Sequence, residues 1–514
     1  MQNGGSHLTP MNRSEPSPLP AGRLRDPAEL PGPGGLPLIG MLHRWKGAQA
    51  HRILEGWAAT YGPIYRVRLG PQPIVVISEP NAMLTVLRER PQGFRRHFAV
   101  RPVFREMGLD GLFSAEGDDW RRQRPLVMKA LDPAHLKRFF PVIVTATERL
   151  HARWLASAAS GTQIDVRADL TRYTVDVTCS LAFGTDVATL TRDDPDPLQQ
   201  HLDRIFNGIA RRLNSFWPTW RWLPSRADRE IDRSLRVVGQ AVQGFIDHAR
   251  AEMQARPILK TEPEHLLHAL LAANDAQRLS DAELHGNVMT LLLAGEDTTS
   301  NTIAWAMHLL SGHPDILKAA RTEAIEALAG EADGPASSPV LRSIDSTRGL
   351  PLIEGIVLEA LRLKPVAPLN MFTAVEPIEL LGTRIAPRTL VCILKRPPAT
   401  DPSHFAKPDA FMPQRWLAGE ADASGQGSAS VESVGGGGRR AFMPFGGGPR
   451  FCPGRYLALL EAKMVLATTL AAFDLIATPE AVEEQMGMTM QPDGLRMLLR
   501  AHRPSRFTER NRQV

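Results

Sequence analysis

The chain of 514 residues has almost no cysteine. Cys179, Cys392 and Cys452 are far apart and odd in number, which excludes a disulfide framework and points to a reducing compartment. Charge of one sign is also scarce. Sixty basic residues face 55 acidic ones, a net +5, too small an excess for a nucleic-acid binder without a local basic stripe. The first 30 residues hold no apolar run able to serve as a signal or anchor. The longest apolar stretch, residues 287–310, carries Glu296, Asp297 and Asn301 at its centre. Charges at mid-membrane are costly, so this stretch reads as a buried helix, and the protein is expected to be cytoplasmic, with no transmembrane anchor.

What is present is ordinary globular composition, 43% hydrophobic, without repeats of fixed period. Residues 1–30, rich in Pro, Ser and Gly, read as a disordered tail. The Pro/Gly-rich segment 31–40 lacks the strand that a phosphate loop needs before it, so it reads as a stiff lead-in. Residues 64–69 and 74–77, separated by Gly70 and Pro71, predict a β-hairpin. Helical patterns dominate residues 81–250 and become long and apolar beyond Ser280, while strand character returns near 378–381 and 389–394. Residues 418–438 are Gly/Ser-rich and aperiodic, a flexible surface insertion. The expectation is a mainly α fold with a small β part (α+β), in one large domain spanning 31–514.

The sharpest local signal is Phe445-Gly446-Gly447-Gly448-Pro449-Arg450-Phe451-Cys452-Pro453-Gly454. Its glycines let the backbone approach something closely. Backbone N–H groups around Cys452, and the start of the helical run after it, favour thiolate over thiol. A lone protected thiolate suits a metal, and haem iron is one such metal. A buried structural cysteine in a tight turn is the alternative.

This loop resembles the cysteine-ligand loop of the cytochrome P450 family, matching at Phe445, Gly448, Arg450, Cys452 and Gly454. The resemblance implies haem b as cofactor, Cys452 as iron ligand, Phe445 and Gly446 against the haem, and Arg450 on a propionate. Three further segments follow in the family's order. Ala294-Gly295-Glu296-Asp297-Thr298-Thr299 is similar to its oxygen-activating helix, implying Asp297 and Thr298 in proton delivery, with Ala294 and Gly295 leaving room over the haem. Trp120 and Arg124, four residues apart and on one helical face, resemble a propionate-binding pair. Glu359, Arg362 and Arg415 resemble a structural triad supporting the cysteine loop. Phe372 departs from the pattern, standing where many members place a propionate-binding arginine.

The resemblance implies a haem-thiolate monooxygenase that inserts one atom of dioxygen into a hydrophobic small molecule. Phe98, Val103, Phe104, Leu112, Phe113, Val366 and Leu369 are the expected apolar walls, and residues 206–222 the lid. No flavin or iron–sulfur signature appears, so electrons are expected from a separate ferredoxin- or flavodoxin-type donor with its reductase, attracted by Arg439, Arg440 and Arg455. A peroxide-using or isomerising haem-thiolate enzyme, and a non-catalytic haem sensor, are the rival readings. His265 and His268 share a helical face, but no third ligand follows at a recognisable spacing.

Overall fold

The computed structural model describes residues 23–192, 197–213, 215, 217–274, 279–331, 339–417 and 438–502. In chain order these hold α1 (Ala50–Tyr61), β1 (Ile64–Leu69), β2 (Gln72–Ile77), α2 (Pro80–Arg88), β3 (Phe94–Arg96), α3 (Val100–Glu106), α4 (Gly117–Ala130), α5 (Pro133–Ser160), β4 (Ile164–Asp165), α6 (Val166–Phe183), α7 (Pro197–Leu213), α8 (Arg226–Ala255), α9 (Leu266–Ala273), α10 (Asp281–Ser311), α11 (Pro314–Ala329) and α12 (Pro351–Leu363). Then come β5 (Leu369–Ala374), β6 (Ile378–Leu380), β7 (Thr383–Ile385), β8 (Leu390–Leu394), α13 (Arg396–Ala399), α14 (Gly438–Ala441), α15 (Arg455–Ala472), β9 (Phe473–Ala477), β10 (Glu483–Met486), β11 (Met490–Asp493) and β12 (Arg496–Ala501).

Local chemistry sets the helix ends. Ser225 with Asp228, and Ser280 with Glu283, form reciprocal capping boxes that start α8 and α10, satisfying N–H groups a helix leaves orphaned. Asp132 caps α5, and Gly161 and Gly184 end α5 and α6 in the left-handed conformation. The stretch 287–310 lies within α10, which packs against α6, α12 and α15. A helix enclosed this way reads as apolar on most faces.

The expected hairpin is β1–β2. It belongs to a five-stranded sheet ordered β1-β2-β8-β5-β3, in which only β2 and β8 run parallel. Every residue of β8 is buried, as its continuous Leu-Val-Cys-Ile-Leu run requires of an interior strand. The anticipated strands near 378 and 389 are β6 and β8, whereas the three-stranded β4-β12-β9 sheet was not legible.

One boundary is corrected. The tail was expected to reach residue 30, but residues 25–30 are held to the fold: Arg25 bridges to Thr383, and Leu30 is buried in one core with Ile64 and Val75. Residues 1–22, and 418–437 of the anticipated insertion, lie outside the described residues.

Candidate active site

The cysteine loop is closed on itself and pressed against α2. Cys452 N–H donates to Phe445 O at 2.9 Å. Gly446 and Gly448 have φ of +75° and +63°, and a Cβ on Gly448 would sit 2.4 Å from Leu87 O. Any side chain there would push the loop off α2. The thiol accepts the Gly454 N–H and lies near Arg124, Lys395 and Arg455, yet burial outweighs these groups and pushes it above the usual range. One backbone N–H and three cations act in the direction expected of a thiolate site, and a cation bonded to the sulfur would add to them.

Around this loop stands an excess of cationic side chains. Trp120 and Arg124 share one face of α4, as expected. Arg124 Nη2 donates to Phe451 O at 2.7 Å, and Arg450 lies 4.8 Å over the Trp120 ring. Arg450 also pairs with Glu116 at 2.8 Å. Arg90, Arg96 and Arg450 sense one another, with Glu116 the acid among them, and burial followed by this repulsion pulls Arg90 well below the usual arginine range. Nε and Nη2 of Arg90, Nε of Arg450 and Nε of Arg455 are buried without an acceptor. Leaving buried donors unpaired is costly. A free thiol amid unpaired guanidinium donors fits haem, whose iron takes a thiolate and whose two propionates are anions that guanidinium forks match.

The doubt raised by Phe372 has a physical answer that the sequence did not give. Phe372 pairs with Arg96 across β3 and β5, and the Arg90 guanidinium lies 4.7 Å over its ring. Cations from neighbouring elements occupy the area where an arginine is missing. Lys395, buried just after β8 and pulled down to about 8 by burial, was missed as well.

On α10, the Thr298 hydroxyl donates to Ala294 O at 3.1 Å, one turn back, and the helix runs unbroken through it. Asp297 is moored: Asn301 Nδ2 donates to Oδ1 at 3.0 Å, and the Thr489 hydroxyl, between β10 and β11, donates to Oδ2. Asn301 and Thr489 are 4 and 192 positions away, and only the first spacing was visible in sequence. Glu296 is the fully buried acid of the pair; its Oε2 has no partner, and burial raises it well above the carboxylate range. Ala294 is exposed on its helix face, consistent with space beside it. Gly295 is corrected: a Cβ there would lie 2.8 Å from Thr178 Oγ1, so its missing side chain admits α6.

Glu359, Arg362 and Arg415 meet as expected. Glu359 accepts from Arg362 at 2.8 and 2.9 Å, from Arg415 at 3.1 Å, from Trp416 Nε1 at 2.9 Å and from Met412 N–H at 2.9 Å. Arg362 Nη1 and Nη2 reach Ala399, Pro408 and Ala410 carbonyls. Glu359 and Arg362 side chains are wholly buried. Arg362→Met would leave the Glu359 carboxylate buried with fewer donors, at a cost of about 3–5 kcal/mol. Denaturant unfolding should show that loss together with reduced haem retention; unchanged stability would contradict the support role.

The apolar walls are only partly as expected. Val103 and Phe104 are buried in the main core, while Phe98 is 54% exposed. Phe113 stacks on Phe104 at 5.2 Å. The lid segment is tethered rather than loose, because Glu106 of α3 accepts from Trp220 Nε1 at 3.1 Å and pairs with Arg221. Trp217 and Trp222 remain exposed, and Phe216 lies outside the described residues.

The family model described as Cytochrome P450 matches residues 30–499. Cyclooctatin synthase of Streptomyces melanosporofaciens is 30% identical over 475 residues, covering 91% of this chain and 94% of that protein. Pentalenene oxygenase of Streptomyces avermitilis is 27% identical, with 92% and 97% covered. Among solved structures, the cytochrome P450DA haem domain superposes with a TM-score of 0.79 at 24% identity, covering 94% of this chain and 99% of that one, which is a likeness of fold.

Proposed function

The chain belongs to the cytochrome P450 family, and from that premise we propose how its own residues serve the reaction. It is a haem-dependent monooxygenase, and the bound haem supplies the iron at which dioxygen is activated. The observation that carries the residue assignment is the half-buried free thiol of Cys452 beside cations whose donors lack acceptors. Cys452 ligates the iron of haem b. Arg124, Arg450 and Trp120, joined by Arg90 and Arg96, bind the propionates. Phe445 and Gly446 would pack against the haem, and Ala294 would leave space beside it.

Asp297 and Thr298 hold and pass protons. Leaving its mooring on Asn301 and Thr489 turns the Asp297 carboxylate from a hydrogen-bond acceptor within the fold into a carrier between solvent and the Thr298 hydroxyl. The presence of this acid–hydroxyl pair favours dioxygen over peroxide as the oxidant. The substrate is a hydrophobic small molecule. No helix among the described residues is long and apolar enough to cross a membrane, and a cytoplasmic site of action fits the reduced cysteines. Turnover of a binding compound with reduced ferredoxin and dioxygen, set against hydrogen peroxide alone, tests the reading. Equal or faster turnover with peroxide would favour the rival chemistry.

Electrons come from a separate ferredoxin- or flavodoxin-type protein with its reductase. Of the docking charges first expected, the Arg439 side chain lies outside the described residues. Arg455 belongs to the thiol pocket, stacking on Phe451 and Tyr456. Arg440 is exposed, and so is Arg88, whose backbone lies against Gly448 of the cysteine loop. The Arg440 Nη1 reaches Asn81 of α2 at 3.3 Å, so the two arginines flank the same edge. The double variant R88E/R440E should slow reduction by an acidic carrier about 10-fold or more at low salt, with substrate-induced spectral shifts unchanged. Stopped-flow reduction rates equal to wild type would remove this surface from consideration.

A further inference from the structure

Away from the haem region, α9 begins with two histidines that the reaction does not use. His265 is its N-cap and His268 lies in its first turn; both side chains are buried, and their rings stack with centroids 3.5 Å apart. The sequence showed no third ligand because the third group lies upstream, in the last turn of α8. Glu252 Oε2 stands 3.2 Å from His268 Nε2 and 3.7 Å from His265 Nε2. The three ligand atoms lie within 4.8 Å of one another. Tetrahedral coordination at zinc–nitrogen and zinc–oxygen bond lengths separates neighbouring ligands by about 3.3 Å, so small side-chain adjustments would converge these atoms on one ion.

Hydrogen bonding alone leaves this cluster incomplete. His265 Nε2 and His268 Nδ1 are buried with no partner, a deficit that native interiors rarely keep. Burial disfavours the charged form of both rings, and it is the neutral imidazole that ligates a metal. Glu252 is 31% exposed and gives the pocket a route from solvent, with Glu264 close enough to add negative potential. We propose that Glu252, His265 and His268 form a binding site for a divalent cation of the zinc class, with water completing the coordination.

The site would join the C-terminal end of α8 to the start of α9. Two hydrogen bonds must be exchanged, one of them from His268 Nε2 to Glu252 Oε2 at 3.2 Å. His265 Nδ1 now accepts the His268 N–H at 3.3 Å, which in the neutral ring places the proton on Nε2. Coordination through both Nε2 atoms moves each ring's proton to its own Nδ1, and replaces the long cap hydrogen bond and the His268–Glu252 hydrogen bond with metal bonds, without net proton release.

The test uses the haem-loaded protein, stripped with chelator, desalted and titrated with zinc chloride. One zinc per chain should be retained through desalting, with a raised unfolding temperature. Glu252→Gln keeps the shape of a partly exposed side chain, and His265→Asn keeps a good N-cap while removing the imidazole. Each should weaken zinc binding about 100-fold. His248, exposed and 3.6 Å from the other Glu252 oxygen, could chelate at the surface with Glu252 alone. H248Q should retain zinc, separating that arrangement from the buried one. Absence of stoichiometric zinc in the wild type, full retention by E252Q or H265N, or loss in H248Q would overturn the proposal. None of these outcomes depends on turnover.

Discussion

Cys452→Ser is expected to abolish monooxygenation, lowering product formation by roughly three orders of magnitude or more. A hydroxyl in this loop would be poorly ionised beside the same buried cations and offers no soft, electron-rich ligand; thiolate donation is what favours O–O cleavage in this class of site. The structure makes the effect local. The loop is closed by the Cys452 N–H to Phe445 O bond and by the fit of Gly448 against Leu87, neither of which involves the sulfur. The variant should therefore fold and bind haem through Arg90, Arg96, Arg124 and Arg450. Cys179 and Cys392 are controls, buried in α6 and β8. C179A and C392A should keep the wild-type haem spectrum, whatever they cost in stability. Normal turnover by C452S would end the thiolate assignment.

Asp297→Asn and Thr298→Ala should each reduce product formation by about 10²-fold, within the range of general acid–base contributions. Consumption of reducing equivalents should fall much less, so product per dioxygen consumed drops. Asp297→Asn keeps an oxygen that accepts from Asn301, places an NH2 where the Thr489 hydroxyl now donates, and removes the proton-carrying carboxylate. Thr298→Ala removes the hydroxyl that now back-bonds to Ala294 O. Thr489→Val separates delivery from mooring: it frees one carboxylate oxygen without removing the acid, and should change coupling less than Asp297→Asn. Measuring product, dioxygen and cofactor consumption together distinguishes these cases. Tight coupling in both D297N and T298A would refute the proton route.

What could be read from sequence was whatever lay within a few residues. The cysteine loop declares itself because its glycines, arginine and cysteine are contiguous, and Trp120 with Arg124 because four residues make one helical turn. Glu359 and Arg362 were visible as an i, i+3 pair; their burial, which turns a commonplace ion pair into a support, was not. Arg90 and Arg96 escaped notice because only the β3–β5 pairing brings them to Phe372. Thr489 likewise reaches Asp297 from a distant hairpin. Gly295 was misread for a related reason: a small residue in a helix shows that something comes close, and only packing shows that the neighbour is Thr178 of α6. Glu252 completes the His265–His268 pair from a different helix, beyond any motif spacing.

The carbon monoxide difference spectrum of the reduced, haem-loaded protein tests the central assignment most directly. A strongly red-shifted Soret band is expected, the signature of thiolate ligation. A band at the position of neutral-ligand haem proteins in freshly prepared, folded protein would contradict Cys452 as the ligand, and with it the mechanism built on that loop.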